Sequence, residues 1–364
     1  MTKPMINEIG SNFCKYDLNA PTREEKLWWE DDKYNKVFFK SGRNALKAIA
    51  RKLKGEGHKP SVLLPIYTCE TVITPFLDEG WEVDYYNINA DLSVNFLSVF
   101  DKITKNAPSA ILFHSYFGLD TLSGDIEEIK KLHDGGIVII EDMTQSLFSQ
   151  HCIEFADYYV TSLRKFLAIP DGGCVFSQKP LCFSDIGSCD ERIAPKAIEA
   201  FDLKNEYFDA PTAEKKQLFR ESYGELNGFI SDNAEIRDIS PASKQMFLTC
   251  DVNEIKDKRR SNYAFLLDGI KKYGFISPAA GVSLSCGVPL YLPIYVDGDR
   301  ASLQRHLAEN DIFCPVIWPK PSQIELTDDV SAYMYRQMLC FPIDQRYDLE
   351  DMRRILSVLD EYKN

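Results

Sequence analysis

Two residues of this chain have the types and settings that amine chemistry requires. Lys165 stands in TSLRKFLAIPDGGCVF (161–176), beside Arg164 and among Leu163, Phe166 and Leu167. A lysine normally occupies a solvated face. One half desolvated by apolar neighbours has a depressed pKa and a nucleophilic amine, which suits condensation with a carbonyl. Asp142 ends the apolar run GIVIIED (136–142). A covalent lysine facing a buried carboxylate is the pair that pyridoxal phosphate uses. The lysine holds the aldehyde carbon, and the carboxylate keeps the pyridine nitrogen protonated so that the ring accepts electrons. The phosphate then wants backbone N–H groups at a helix N-terminus. SGRNAL (41–46) offers one, with Ser41 or Asn44 as cap and Gly42 for close approach, and Ser162 adds a hydroxyl near the lysine. Taken singly, each feature has an ordinary structural meaning: a surface lysine beside a turn, a helix-capping Asp, an N-cap serine. Their order along one chain is what points to the cofactor.

The elements that must position these residues follow from the apolar pattern. Ala45, Leu46, Ile49 and Leu53 share one face of a helix ending at Gly55. SVLLPIY (61–67), WEVDYYNI (81–88), SAILFHSYF (109–117), GIVIIED, ADYYVTSL (156–163) and GCVFSQ (173–178) have the pattern of strands. Helices near 71–79 and 125–133 lie between them. Strands that are apolar throughout and separated by helices imply a mainly parallel sheet sandwiched by helices, an α/β fold. Ligands of such sheets bind outside the carboxyl ends of the strands. That rule selects Thr68 and Cys69, His114 and Ser115, Asp142, and Ser162 with Lys165, and brings four segments to one rim. Pro170-Asp171-Gly172-Gly173 turns the chain back into the sheet beside them. The segment 179–240 is mixed. From 241, PLYLPIYV, CPVIW and MLCFPI read as strands among three helical patterns. The chain thus divides into a large cofactor-binding domain with an N-terminal arm (1–240) and a smaller α+β domain (241–364).

Composition narrows the partners. The chain has 364 residues, 45% of them hydrophobic, and a formal net charge of -13. That surface repels nucleic acid and anionic membranes, so an anionic ligand needs a local cluster of arginines or amides. Ten cysteines without metal spacing suit reduced thiols in a cytoplasmic protein. The N-terminus has no apolar segment of the secretory kind, and no run approaches the ~20 residues of a membrane span. His58, His114, His133, His151 and His306 form no metal-binding pattern.

Several segments in order carry a family resemblance: SGRNAL, LLPIYTCETVITPFLDEGWEVDYYNI, FHSYFG, IIEDMTQSL, SLRKFLAIPDGG, KRRSNYAFLL and FPIDQRYDLEDMRRIL. From about Ser41 to the final helix the chain resembles the DegT/DnrJ/EryC1/StrS aminotransferases, the sugar aminotransferase branch of fold-type I pyridoxal phosphate enzymes. The resemblance implies that Lys165 carries the cofactor and Asp142 meets the pyridine nitrogen. It places Gln145 near the ring hydroxyl, and Gly42, Arg43, Asn44 and Ser162 around the phosphate. Cys69 falls where many members carry an aromatic that stacks on the ring, which turns attention to Tyr67, Tyr116 and Phe117. Arg43 replaces the usual threonine of the phosphate loop. The family's Asn-Tyr-Arg loop, which reaches the partner subunit's site, gives way to NAEIRDISPASK. The implied reaction moves an amino group from a donor such as glutamate to a nucleotide-linked keto-sugar, in a homodimer, with His114, Arg237 and Arg346 as substrate-facing candidates. Two other readings stay open. One is a lyase or cysteine desulfurase on the same cofactor, with Cys189 as the loop thiol. The other is a regulatory homologue that makes no product.

Overall fold

The computed structural model describes residues 8–15, 27–150, 153–279, 284 and 287–363, so His151 lies outside the described residues. A two-residue strand, β1 (Ile9–Gly10), precedes the central sheet. That sheet contains β2 (Asn35–Phe39), β3 (Ser61–Pro65), β4 (Glu82–Tyr86), β5 (Ala110–His114), β6 (Val138–Asp142), β7 (Tyr158–Ser162) and β8 (Gly173–Ser177), in the order β2-β8-β7-β6-β5-β3-β4. The five strands from β4 to β7 run parallel. At the other edge β8 lies antiparallel to β7, and β2 antiparallel to β8. The fold is therefore α/β with a mainly parallel sheet, reversed only beside Lys165.

Helices α1 (Gly42–Gly55), α2 (Glu70–Asp78), α3 (Phe96–Asn106) and α4 (Ile126–Asp134) connect the strands from β2 to β6. The strands are apolar on both sides because both sides are covered. Val62, Leu64, Leu112 and Ile140 pack with Leu46, Ile49, Ile73 and Phe76 of α1 and α2. Their sequence neighbours Leu63, Ile111, Phe113 and Ile139 join the core on the opposite face. Each fully buried Ile, Leu or Phe is worth roughly 1.5–3 kcal/mol, so both faces are needed to offset the chain entropy of so large a sheet.

The reversal at 170–173 depends on two glycines. Gly172 has φ +133°, and a Cβ on Gly173 would lie 2.2 Å from the carbonyl carbon of Ser41. Backbone thus packs directly on backbone, and the start of α1 sits against the turn that follows Lys165. Buried Asp171 fixes the turn by accepting from the backbone N and the Oγ of Ser240 at 3.1 and 2.7 Å.

After β8 come α5 (Ile193–Asp209) and α6 (Ala213–Ser231), which pack on each other through Ala197, Ala200, Phe219 and Leu226. They are followed by α7 (Pro241–Leu248) and α8 (Val252–Gly269). The C-terminal half adds β9 (Ile276–Pro278), β10 (Tyr291–Val296), α9 (Arg300–Glu309), β11 (Ile312–Phe313), α10 (Asp329–Gln337), β12 (Met338–Pro342) and α11 (Leu349–Glu361). Strand β10 pairs antiparallel with both β9 and β12. The N-terminal β1 pairs parallel with β11, so the start of the chain is stitched to the C-terminal half. CPVIW (314–318), expected as a strand, is not one: the strand stops at Phe313 and the segment continues as a loop. Its apolar side chains are used to cover the sheet rim. Cys314 and Trp318 are buried without ladder partners.

Candidate active site

The carboxyl ends of β5, β6 and β7 and the first turn of α1 enclose a cavity of about 160 Å³. Asp142, the last residue of β6, is almost fully buried in its wall. One carboxylate oxygen accepts from the Thr144 amide at 2.9 Å, and the other lies 3.1 Å from His114 Nδ1. His114 in turn places Nε2 2.7 Å from the Thr68 hydroxyl. Burial alone would raise the Asp142 carboxyl, but the His114 and Thr144 hydrogen bonds outweigh it and hold it below the usual carboxylate value. The site therefore keeps a fixed negative charge at the strand end at neutral pH.

Lys165 closes a single 3-10 turn, Leu163–Lys165, directly after β7. Its neighbours Leu163, Phe166 and Leu167 are buried, whereas Lys165 itself stands in the open cleft. Lys165 lines the cavity together with Asp142 and Ser162. Desolvation lowers its pKa; Arg164 adds to this, while Cys69 and Asp142 oppose it. A larger neutral fraction near pH 7 is what a nucleophilic lysine needs.

The anion end is built by α1. Ser41 caps the helix by accepting from the Asn44 amide at 3.2 Å. A Cβ at Gly42 would meet Ser162 Cβ at 3.3 Å and the Thr161 carbonyl at 3.4 Å, so the glycine lets the helix N-terminus approach the end of β7. Arg43 donates through Nη1 to the Ser231 carbonyl at the end of α6, at 2.9 Å. Its buried Nε has no partner among the described residues. Ser41, Gly42, Arg43 and Ser162 all line the cavity.

Gln145 is oriented by a backbone hydrogen bond. Phe117 has φ +56°, a left-handed conformation uncommon for a bulky residue, and its amide donates to Gln145 Oε1 at 2.9 Å. With the oxygen accepting from Phe117, Nε2 is the remaining donor of this cavity-lining side chain.

The structure gathers Gly42, Arg43, Cys69, His114, Asp142, Gln145, Ser162 and Lys165 around one cavity. Asn44 lies outside it: its Oδ1 accepts from the Arg237 amide at 3.0 Å, tying α1 to the segment after α6. Arg237 points elsewhere, pairing with Glu235 at 2.6 Å. Arg346 is buried and bound through Nε to Asp344 at 2.7 Å. Tyr67 is also interior; its hydroxyl meets Met338 Sδ at 3.0 Å and its ring lies 5.2 Å from Trp318. Tyr116 donates to the Tyr67 carbonyl at 2.7 Å. Cys189 is not among the residues lining the cavity. Trp318 was missed. It enters the cavity from the CPVIW loop, with its ring 5.1 Å from that of His114. The signal available was a tryptophan in an apolar segment, read as part of a strand.

The arrangement supplies an amine, a fixed carboxylate and an anion cradle in one enclosure. These donors fit pyridoxal phosphate at its aldehyde, its pyridine nitrogen and its phosphate. No group of His, Cys, Asp and Glu among the described residues is placed to hold a metal ion.

Comparison with known proteins agrees. Residues 33–360 match the model of the DegT/DnrJ/EryC1/StrS aminotransferase family. No curated protein matches the chain. Among solved structures, the chain is similar to the sugar aminotransferase CalS13 from Micromonospora echinospora, with a TM-score of 0.63 at 15% identity over 90% of this chain and 87% of that one. DesI in the presence of its TDP-sugar product gives 0.63 at 16% identity, over 89% and 79%. Helicobacter pylori PseC, an aminotransferase involved in the biosynthesis of pseudoaminic acid, gives 0.62 at 13% identity, over 90% and 86%. At these identities the likenesses establish the fold.

Proposed function

The chain belongs to the DegT/DnrJ/EryC1/StrS aminotransferase family, and we propose that it is a pyridoxal phosphate-dependent enzyme that moves an amino group from a donor such as glutamate to a nucleotide-linked keto-sugar. The observation that carries this reading is the single cavity shared by Lys165, the Asp142–His114 pair and the N-terminus of α1. The acceptor class is supported by the company the fold keeps, since CalS13, DesI and PseC are described as acting in sugar chemistry.

When bound, pyridoxal phosphate supplies an aldehyde that takes up amines and a ring that accepts the electrons of the broken C–H bond. Lys165 Nζ holds the cofactor between turnovers. The same amine, when free, would act as base toward the donor's Cα–H and then as acid in returning that proton. Asp142 holds the proton on the ring nitrogen, and His114 Nδ1 holds Asp142. Gln145 Nε2 donates toward the ring hydroxyl. The amides of α1, Ser41, Ser162 and Arg43 bind the phosphate, with Arg43 supplying charge where a threonine is usual. Trp318 and His114 supply ring faces that wall the cavity, in place of the aromatic that Cys69 lacks.

The reading extends to a homodimer in the cytoplasm. Eight free cysteines among the described residues suit a reducing compartment. No helix of the described residues is long and apolar enough to cross a membrane. Twofold dimers are the commonest oligomers, and light scattering at assay concentration tests this one. An active monomer refutes it.

The reaction is tested by following the cofactor spectrum through each half separately. Glutamate should bleach the internal chromophore, and a nucleotide keto-sugar should restore it. Restoration by simple keto acids but by no member of a keto-sugar panel overturns the acceptor assignment.

A further inference from the structure

A second cavity, of about 410 Å³, opens on the other side of Lys165, which lines both. It lies between the N-terminal strand and the C-terminal half, with Arg259, Arg346 and Asp344 in its wall. The two arginines differ. Arg346 is neutralised by Asp344, which it meets through Nε and Nη2 at 2.7 and 2.9 Å. Arg259 is fully buried and, among the described residues, bonds to no carboxylate. Its Nε donates to Gln345 Oε1 at 2.9 Å, and its Nη1 to the carbonyls of Pro289 and Leu290 at 3.2 and 2.9 Å. Its Nη2 has no partner among the described residues. Burial draws the guanidinium down to about 10, so it remains cationic at neutral pH.

A buried cation without a bonded anion is costly, and a ligand that supplies the charge removes the cost. The position of Arg259 says which ligand. Gln345, which receives Arg259 Nε, donates its own Nε2 to the Phe166 carbonyl at 2.7 Å. The Arg259 guanidinium also stacks 4.6 Å from the Phe166 ring centroid. Phe166 follows Lys165, so Arg259 packs against the segment that carries the reactive amine. Apart from Lys165, the wall carries two arginines and one aspartate, and the Arg346–Asp344 pair leaves Arg259 as its uncompensated fixed cation. That suits a carboxylate.

We propose that this cavity is the amino-donor pocket and that Arg259 is its carboxylate contact; the proposal rests on the aminotransferase reading above. The donor then approaches Lys165 from the cavity that carries Arg259.

The test uses holoenzyme and glutarate, an unreactive dicarboxylate without an amine. Wild-type protein should bind glutarate by calorimetry, in competition with glutamate. Arg259→Gln should weaken glutarate binding and raise the glutamate KM roughly ten- to a hundredfold. Arg259→Lys should recover part of the loss. Ala308→Trp keeps Arg259 but narrows the cavity, which Ala308 lines, and should also weaken glutarate binding; it decides the matter if Arg259→Gln fails to fold. Undiminished glutarate affinity in Arg259→Gln, or in Ala308→Trp should the former not fold, overturns the proposal. So does a wild type that carries cofactor on Lys165 and binds no glutarate. A wild type that binds glutarate at this pocket but takes no cofactor on Lys165 overturns the aminotransferase reading, and with it the donor role of the pocket.

Discussion

Two cavities meet at Lys165 and are built in opposite ways. The rim cavity is made of strand ends and one helix start, most within a single stretch of chain from Ser41 to Lys165. Its carboxylate is already satisfied, Asp142 being held by His114 and Thr144, while Arg43 Nε is left without a partner among the described residues. The outer cavity draws on Gly10–Phe13, Arg259, α9 and Asp344–Arg346, segments hundreds of residues apart. It retains a cation with an unpaired nitrogen. Each cavity thus keeps one open arginine nitrogen, but only the rim cavity also holds a carboxylate fixed by neighbouring hydrogen bonds at a strand end.

The largest effect that separates the two belongs to Lys165. Lys165→Ala should lower turnover roughly 10⁴-fold or more, because covalent attachment and proton transfer are lost together. Stopped-flow measurement of the donor half-reaction checks it. Turnover near wild type would remove Lys165 from both cavities' chemistry.

Next comes Asp142→Asn. Losing a fixed charge used mainly in the transition state should slow the donor half-reaction on the order of 10²–10³-fold while glutarate binding stays near normal. If glutarate binding falls as far as the rate, the two cavities are not separable.

Arg43→Gln should loosen the cofactor about ten- to a hundredfold, the value of one charge-assisted bond to phosphate. Equilibrium dialysis of the cofactor measures this. Unchanged retention would leave the phosphate to the α1 amides and serines alone.

The smallest effect concerns the wall of the outer cavity. Lys204 of α5 is buried, donates to Ser11 Oγ at 3.2 Å, and also bonds to the Asn12 carbonyl. Burial, with Arg346 adding to it, draws its amine down to about 7. An unfolded lysine titrates near 10.4, so between about pH 7 and 10 the unfolded chain binds more protons. This group's contribution to stability therefore rises with pH across that window. Lys204→Met should flatten the slope of unfolding free energy against pH there. An unchanged slope would mean that Lys204 stays charged in the fold.

The same contrast governs what the sequence revealed. The parallel strands and α1 were legible because both periodicities are plain and both faces are buried. Lys165, Asp142 and Gly42 were legible because the strand-end rule selects them and their chemistry is distinctive. Strand β2 was not, since NKVFF begins with exposed polar residues and forms only by pairing with β8. CPVIW misled because an apolar run that covers a rim has the composition of a strand. Arg259 sits in KDKRRSNYAFLL among other charges, and only the tertiary fold shows that it is buried while Arg260 beside it is not fully so. Arg237 and Arg346 are cationic in sequence, but neighbouring carboxylates already occupy them.

The most direct test of the central claim is chemical. Borohydride reduction of the yellow holoenzyme, followed by peptide mapping, should place the reduced cofactor on the peptide that contains Lys165, and on that lysine alone. Recovery of the cofactor on any other lysine, or no incorporation into protein that binds pyridoxal phosphate, contradicts it.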